Sequence, residues 1–163
     1  MTKATDPSSV NAGASEAQQS ARKQAMAVLA RATREELVDA WNKWPQRPDF
    51  DAVRGPETGL VMLRGRIGGG GAPFNFGEAT VTRATMRLST GRIGHAYAFG
   101  TDKEKVRHAA LFDALWQDET FRQRVESDVI HPVRDRLDAE DKRNQEETAA
   151  TRVDFFTMVR GED

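Results

Sequence analysis

The residues best suited to chemistry are arginines set beside glycines. Arg64-Gly65-Arg66-Ile67-Gly68-Gly69-Gly70-Gly71 joins two strand-like runs, residues 60–67 and 79–88. Four consecutive glycines, Gly68, Gly69, Gly70 and Gly71, free the backbone to approach an anion or another chain closely. Such a loop can hold phosphate through backbone N–H groups. It lacks the Gly-Lys-Ser/Thr ending of a P-loop, and a strand rather than a helix follows it. Two readings therefore stand side by side: an anion cradle, or a flexible docking loop. Arg64, Arg66, Arg83 and Arg87 are candidate anion ligands, because guanidinium forks match carboxylate and phosphate oxygens. A solvated sheet face would carry the same residues. Between Arg54 and Arg92 six arginines stand against two glutamates, although the chain as a whole carries a formal charge of −1.

Other chemistries lack their residues. There is no cysteine, so disulfides, thiolate nucleophiles and cysteine-ligated zinc are excluded. His95, His108 and His131 show no metal-ligand spacing. His95 is expected in or beside the core, His108 on a helix surface, and His131 at a helix break. Asp113 and Asp118 are expected as exposed acidic positions on a structural helix. No nucleophile sits beside a base, so no catalytic residue and no metal site are assigned. Bulk charge and the lack of aromatic platforms argue against nucleic-acid binding. No run is long and apolar enough for a membrane span. Residues 1–20 have no apolar centre, so a secretory signal is not expected and a cytoplasmic location is.

The elements that position these residues read as an α+β chain: N-terminal helices, an antiparallel β-sheet with a hairpin, then C-terminal helices and a terminal strand. Residues 1–16 are expected to be a disordered tail, and residues 17–163 one domain. A helix over 17–30 carries Ala21, Ala25, Val28 and Leu29 at helical spacing. Thr33 and Glu36 form a capping box for a second helix, which Pro45 and Pro48 end. Residues 49–58 read as an extended connection. A two-residue turn at Thr90-Gly91 would set Leu88 across from Ile93 and Met86 across from His95. Arg87 and Arg83 would then stand over Gly94, Ala96 and Ala98. Residues 101–104 suggest a second capping box, and Val106, Ala110, Leu111, Ala114 and Leu115 a buried stripe. Helix continues from 118 to 130, is broken at His131-Pro132, and resumes to about 148.

The run Arg152 to Arg160 is apolar on both faces. Phe155, Phe156, Met158 and Val159 are assigned to an interface: left bare, such a strand would aggregate, so it must join a sheet here or in another chain.

Several blocks together resemble the G subunit of the bacterial carbon–phosphorus lyase core complex, the PhnG family. They are Glu57-Thr58-Gly59-Leu60-Val61, Arg66 with Gly68-Gly69, Gly77, Thr80-Val81-Thr82-Arg83, Arg87-Leu88 and Gly91. Further blocks are Gly100-Thr101-Asp102-Lys103, Ala110-Leu111-Phe112-Asp113-Ala114-Leu115, and the run from Val153 to Gly161. The resemblance covers about residues 22–161. Trp116 departs from it, standing where the family often has methionine before glutamine. The resemblance implies a complex of G, H, I and J subunits, each present twice, with the tightest contact expected to the I subunit. It implies a required, non-catalytic part in displacing adenine from ATP by a phosphonate, giving ribose 1-phosphonate 5-triphosphate. ATP is then a substrate of the complex, and no cofactor is expected in this chain. A second reading has Arg64, Arg66, Arg83 or Arg87 touch the triphosphate or phosphonate directly.

Overall fold

In the computed structural model the described residues are 7–66 and 70–150. The expected interface residues Phe155, Phe156, Met158 and Val159 lie outside them, as do Gly68 and Gly69. Helix α1 spans Pro7–Arg31 and α2 Arg34–Asn42. Strands β1 (Phe50–Gly65), β2 (Phe74–Leu88) and β3 (Ile93–Phe99) form one antiparallel sheet in the order β1-β2-β3. Helices α3 (Lys103–Trp116), α4 (Glu119–Val125) and α5 (His131–Ala150) follow. The chain is α+β, as its sequence indicated.

Local chemistry sets most boundaries. Thr33 and Glu36 form the expected capping box: the Thr33 N–H donates to Glu36 Oε2 (2.7 Å) and the Glu36 N–H to Thr33 Oγ1 (3.2 Å). α3 differs from expectation, because Asp102 alone caps it by accepting from the Lys105 N–H. α1 starts at Pro7, ahead of the expected 17; proline is tolerated in the first turn of a helix, where its missing N–H has no intrahelical partner to lose.

The break expected at His131-Pro132 does not occur. Residues Glu126–Ile130 form one π-helical turn, and the His131 N–H donates to the Glu126 carbonyl. That wider turn takes up the mismatch created by Pro132, which has no N–H to offer the preceding turn. α5 then runs on; past Leu137 it is largely exposed.

The strands are longer than their apolar runs. Residues 50–58 belong to β1, not to a connection, and β2 begins at Phe74, not 79. Gly55 and Pro56 obscure the strand in the sequence. β1 is an edge strand, and its register shifts between Arg54 and Glu57 accommodate the proline.

The core lies between the sheet's inner face and the helices. Phe112 of α3 is fully buried, with Trp41 and Trp44 edge-on at centroid distances of 6.1 and 5.7 Å. Ala84, Met86 and Leu88 of β2 and Ala96 and Ala98 of β3 pack from the sheet side. Gly94 marks the closest approach: a Cβ there would stand 2.0 Å from the Ala110 carbonyl oxygen and 2.4 Å from the Ala114 nitrogen. Small residues on β3 therefore let α3 lie directly on the strand.

Candidate functional site

The hairpin register decides which residues the arginines meet. The turn has three residues, Ser89, Thr90 and Gly91, not two. The Leu88 N–H donates to the Arg92 carbonyl, and Gly91 sits at φ +85°. Arg87 pairs with Ile93, Thr85 with His95, Arg83 with Tyr97 and Val81 with Phe99. The expected pairing is thus off by one residue, and a one-residue slip exchanges the faces of β3. Gly94, Ala96 and Ala98 lie under α3. The arginines share the outer face with Ile93, His95, Tyr97 and Phe99.

This exchange also corrects the histidines and one aspartate. His95 is exposed, with Nδ1 3.1 Å from Thr85 Oγ1. His108 is buried, its Nδ1 2.9 Å from the Glu104 carbonyl, and burial pushes its pKa below the ordinary imidazole value. Asp113 is not an exposed acid: its side chain is 1% exposed and forms a double hydrogen bond with Arg22 of α1, at 3.0 and 2.7 Å. The same carboxylate accepts the His95 backbone N–H at 2.8 Å. Asp113 therefore ties α1, α3 and β3 together. Asp118 caps α4.

The four arginines do not converge. Arg83 reaches Glu57 Oε2 at 3.1 Å, and Arg87 reaches Asp51 Oδ2 at 3.3 Å. Both pairs bridge β2 and β1 across the outer face, so each charge is matched within the chain. Arg64 pairs in register with Asn75, eight residues along β2 from Arg83. At strand rise that is about 26 Å away. Among the described residues Arg64 makes no ion pair, and Arg66 donates only to the Gly71 carbonyl, at 3.4 Å. Gly70 and Gly71 form the turn and bend at the same tip.

Beyond β3 the first two strands continue as a two-stranded arm. β3 ends opposite Val81, while β1 and β2 pair on from Leu60 and Thr80 to Gly65 and Phe74. That extends the ribbon by about 20 Å. At its base the buried Thr82 hydroxyl donates to the Gly100 carbonyl (2.7 Å) and accepts from Thr58 (3.0 Å). The arm leaves Leu60, Met62, Phe74 and Phe76 exposed. This apolar exposure went unread in the sequence. The faces of β3, by contrast, follow from the Ser89-Thr90-Gly91 turn, whose left-handed glycine fits a three-residue hairpin.

What the site offers is surface for another molecule. Among the described residues no three His, Asp or Glu side chains are placed to hold a metal, and no described helix is long and apolar enough to cross a membrane. Among the described residues the sheet is covered on one face only and extends into an arm, and exposed apolar residues on both suit contact with another macromolecule. The comparisons with known proteins give the family. Residues 20–161 match the family described as phosphonate metabolism protein PhnG, and the chain belongs to that family. One relative, from Rhizobium meliloti (strain 1021), is 62% identical over 142 residues, which is 87% of this chain and 90% of that relative. It is named alpha-D-ribose 1-methylphosphonate 5-triphosphate synthase subunit PhnG.

Proposed function

We propose that this chain is a required, non-catalytic subunit of the carbon–phosphorus lyase core complex in the cytoplasm. In this reading it supports the displacement of adenine from ATP by a phosphonate, giving ribose 1-phosphonate 5-triphosphate. Its partners are the H, I and J subunits, with the I subunit held most tightly. The observation that carries the reading is the relative at 62% identity, named as a subunit of the corresponding synthase. The uncovered sheet face and the arm support it, because both present apolar surface that costs free energy in water. The test is adenine release from ATP and methylphosphonate by the H, I and J subunits, with and without this chain. Release that depends on the added chain is expected. Equal release without it would refute the reading.

A second reading has arginines of this chain contact the triphosphate or phosphonate. Its support narrows to Arg64 and Arg66, because Arg83 and Arg87 are already ion-paired. Arg64→Ala with Arg66→Ala should raise the KM for ATP several-fold in the intact complex, through loss of charge-assisted hydrogen bonds. An unchanged KM would remove this reading.

A further inference from the structure

Past the end of β3 the sheet has a step. β3 pairs with β2 only as far as Phe99 and Val81. Gly100, at φ +94°, turns the chain away, and its N–H donates to the Thr80 carbonyl. From there back to Phe74, β2 is paired with β1 on one side. Among the described residues its other side is an open edge. Alternate residues of an antiparallel strand turn N–H and C=O to the same side, so Glu78 aims both at that edge, as Thr80 aims its carbonyl. A two-stranded ribbon is marginal in water by itself, and a third strand stabilises it. Residues 74–79 hold no proline and one charge, Glu78, so little in them keeps the edge from pairing.

Two observations name the strand that completes it. The first is the sequence beyond α5. Residues 151–163 follow that helix, and Val153, Phe155, Phe156, Met158 and Val159 put apolar side chains on both faces of an extended run. The arm it would meet is apolar as well, with Leu60, Met62, Phe74 and Phe76 exposed. Residues 153–159 are about 23 Å long at strand rise, against about 20 Å for residues 74–79. The second observation is the course of α5. Asp141 pairs with Arg31 at 3.6 Å. Arg31, with Ala30, Val81 and Phe99, lines a hollow of about 260 Å³ at the step. α5 therefore passes the base of the arm on the side where the edge is open. Ala150 lies about 14 Å of helix further on, and residues 151–163 span up to about 43 Å when extended. The edge is within their reach.

We propose that residues 153–159 of this chain pair along the open edge of β2, in line with β3, as a third strand of the arm. This takes the terminal run into the molecule's own sheet and does not depend on the subunit reading. The test places a photo-crosslinking residue at position 78 of the full-length chain, purified alone and from coexpression with the H, I and J subunits. The expected product has the mass of one chain and joins position 78 to a peptide within residues 152–160. A product that joins two copies, or this chain to another subunit, or no product at all, would overturn the inference. Deuterium exchange followed by NMR reads the same contact without a label. Adjacent residues of a strand turn their N–H groups to opposite sides, so Phe155→Pro with Phe156→Pro removes a ladder donor whichever way the run faces. The Glu78 amide should exchange at least tenfold faster in this double variant than in wild type. Amides of residues 82–87, where β2 has a strand on each side, should keep their rates. An unchanged rate at Glu78 would count against the inference, and if residues 82–87 also speed up the crosslink decides.

Discussion

At the scale of single residues, Asp113 carries the clearest consequence. It is a buried carboxylate whose charge is balanced by Arg22 and whose second oxygen also holds the His95 N–H. Asp113→Ala leaves a guanidinium and a backbone donor without their partner. Removing one member of a buried pair typically costs about 3–5 kcal/mol, and urea unfolding should show a loss of that order. His108 makes a separate prediction. Burial lowers its pKa in the folded chain below the ordinary 6.5, so between the two values the unfolded chain binds the proton more tightly. Stability contributed by the neutral ring is therefore full above about pH 6.5 and lost as pH falls through the folded value. Thermal melts from pH 7.5 to 5 should show this decline, and His108→Gln should flatten it. Glu36 acts in a lower window. Burial raises its pKa, but Arg136 and the Thr33 N–H outweigh that and hold it below the usual carboxylate range. Its contribution should fade only below about pH 4.5.

At the scale of elements, two glycines have opposite reasons for being where they are. Gly91 adopts a left-handed conformation in the hairpin turn. Gly91→Val should cost about 1–2 kcal/mol in backbone strain while leaving the sheet register in place. Gly94 has ordinary backbone geometry, yet a side chain there meets the backbone of α3. Gly94→Val should be the more damaging change, and a larger drop in melting temperature than for Gly91→Val checks the order. The same pair explains what could be read from sequence. Helix caps, prolines and the α3 stripe are local signals, so α2, α3 and the α+β class were legible. Strand faces depend on a turn whose two- and three-residue forms both fit Ser89-Thr90-Gly91-Arg92. Choosing the shorter form inverted β3 and placed the arginines over glycine and alanine. The first part of β1 was hidden by Gly55 and Pro56, which read as a loop until β1 is seen at a sheet edge.

At the scale of the whole molecule, the chain has a well-packed side and an open one. The helices, the Trp41–Trp44–Phe112 cluster and the Asp113 tie make the packed side complete by itself. Among the described residues the outer sheet face and the arm expose Leu60, Phe76, Tyr97 and Phe99 with no covering element. The chain belongs to a family of phosphonate metabolism proteins, and one relative is named as a synthase subunit; the subunit reading proposed above would give that open side a partner to meet. The candidate arginines were legible in the sequence as residues but not as a group. Their separation along the ribbon, and the matching of Arg83 by Glu57 and of Arg87 by Asp51, arise only from strand pairing. The most direct measurement is the native mass and composition of what copurifies with the tagged full-length chain when the H, I and J subunits are coexpressed. The account predicts a discrete assembly that contains this chain together with those subunits and releases adenine from ATP and methylphosphonate. Recovery of this chain alone, while the remaining subunits assemble and turn over without it, would contradict it.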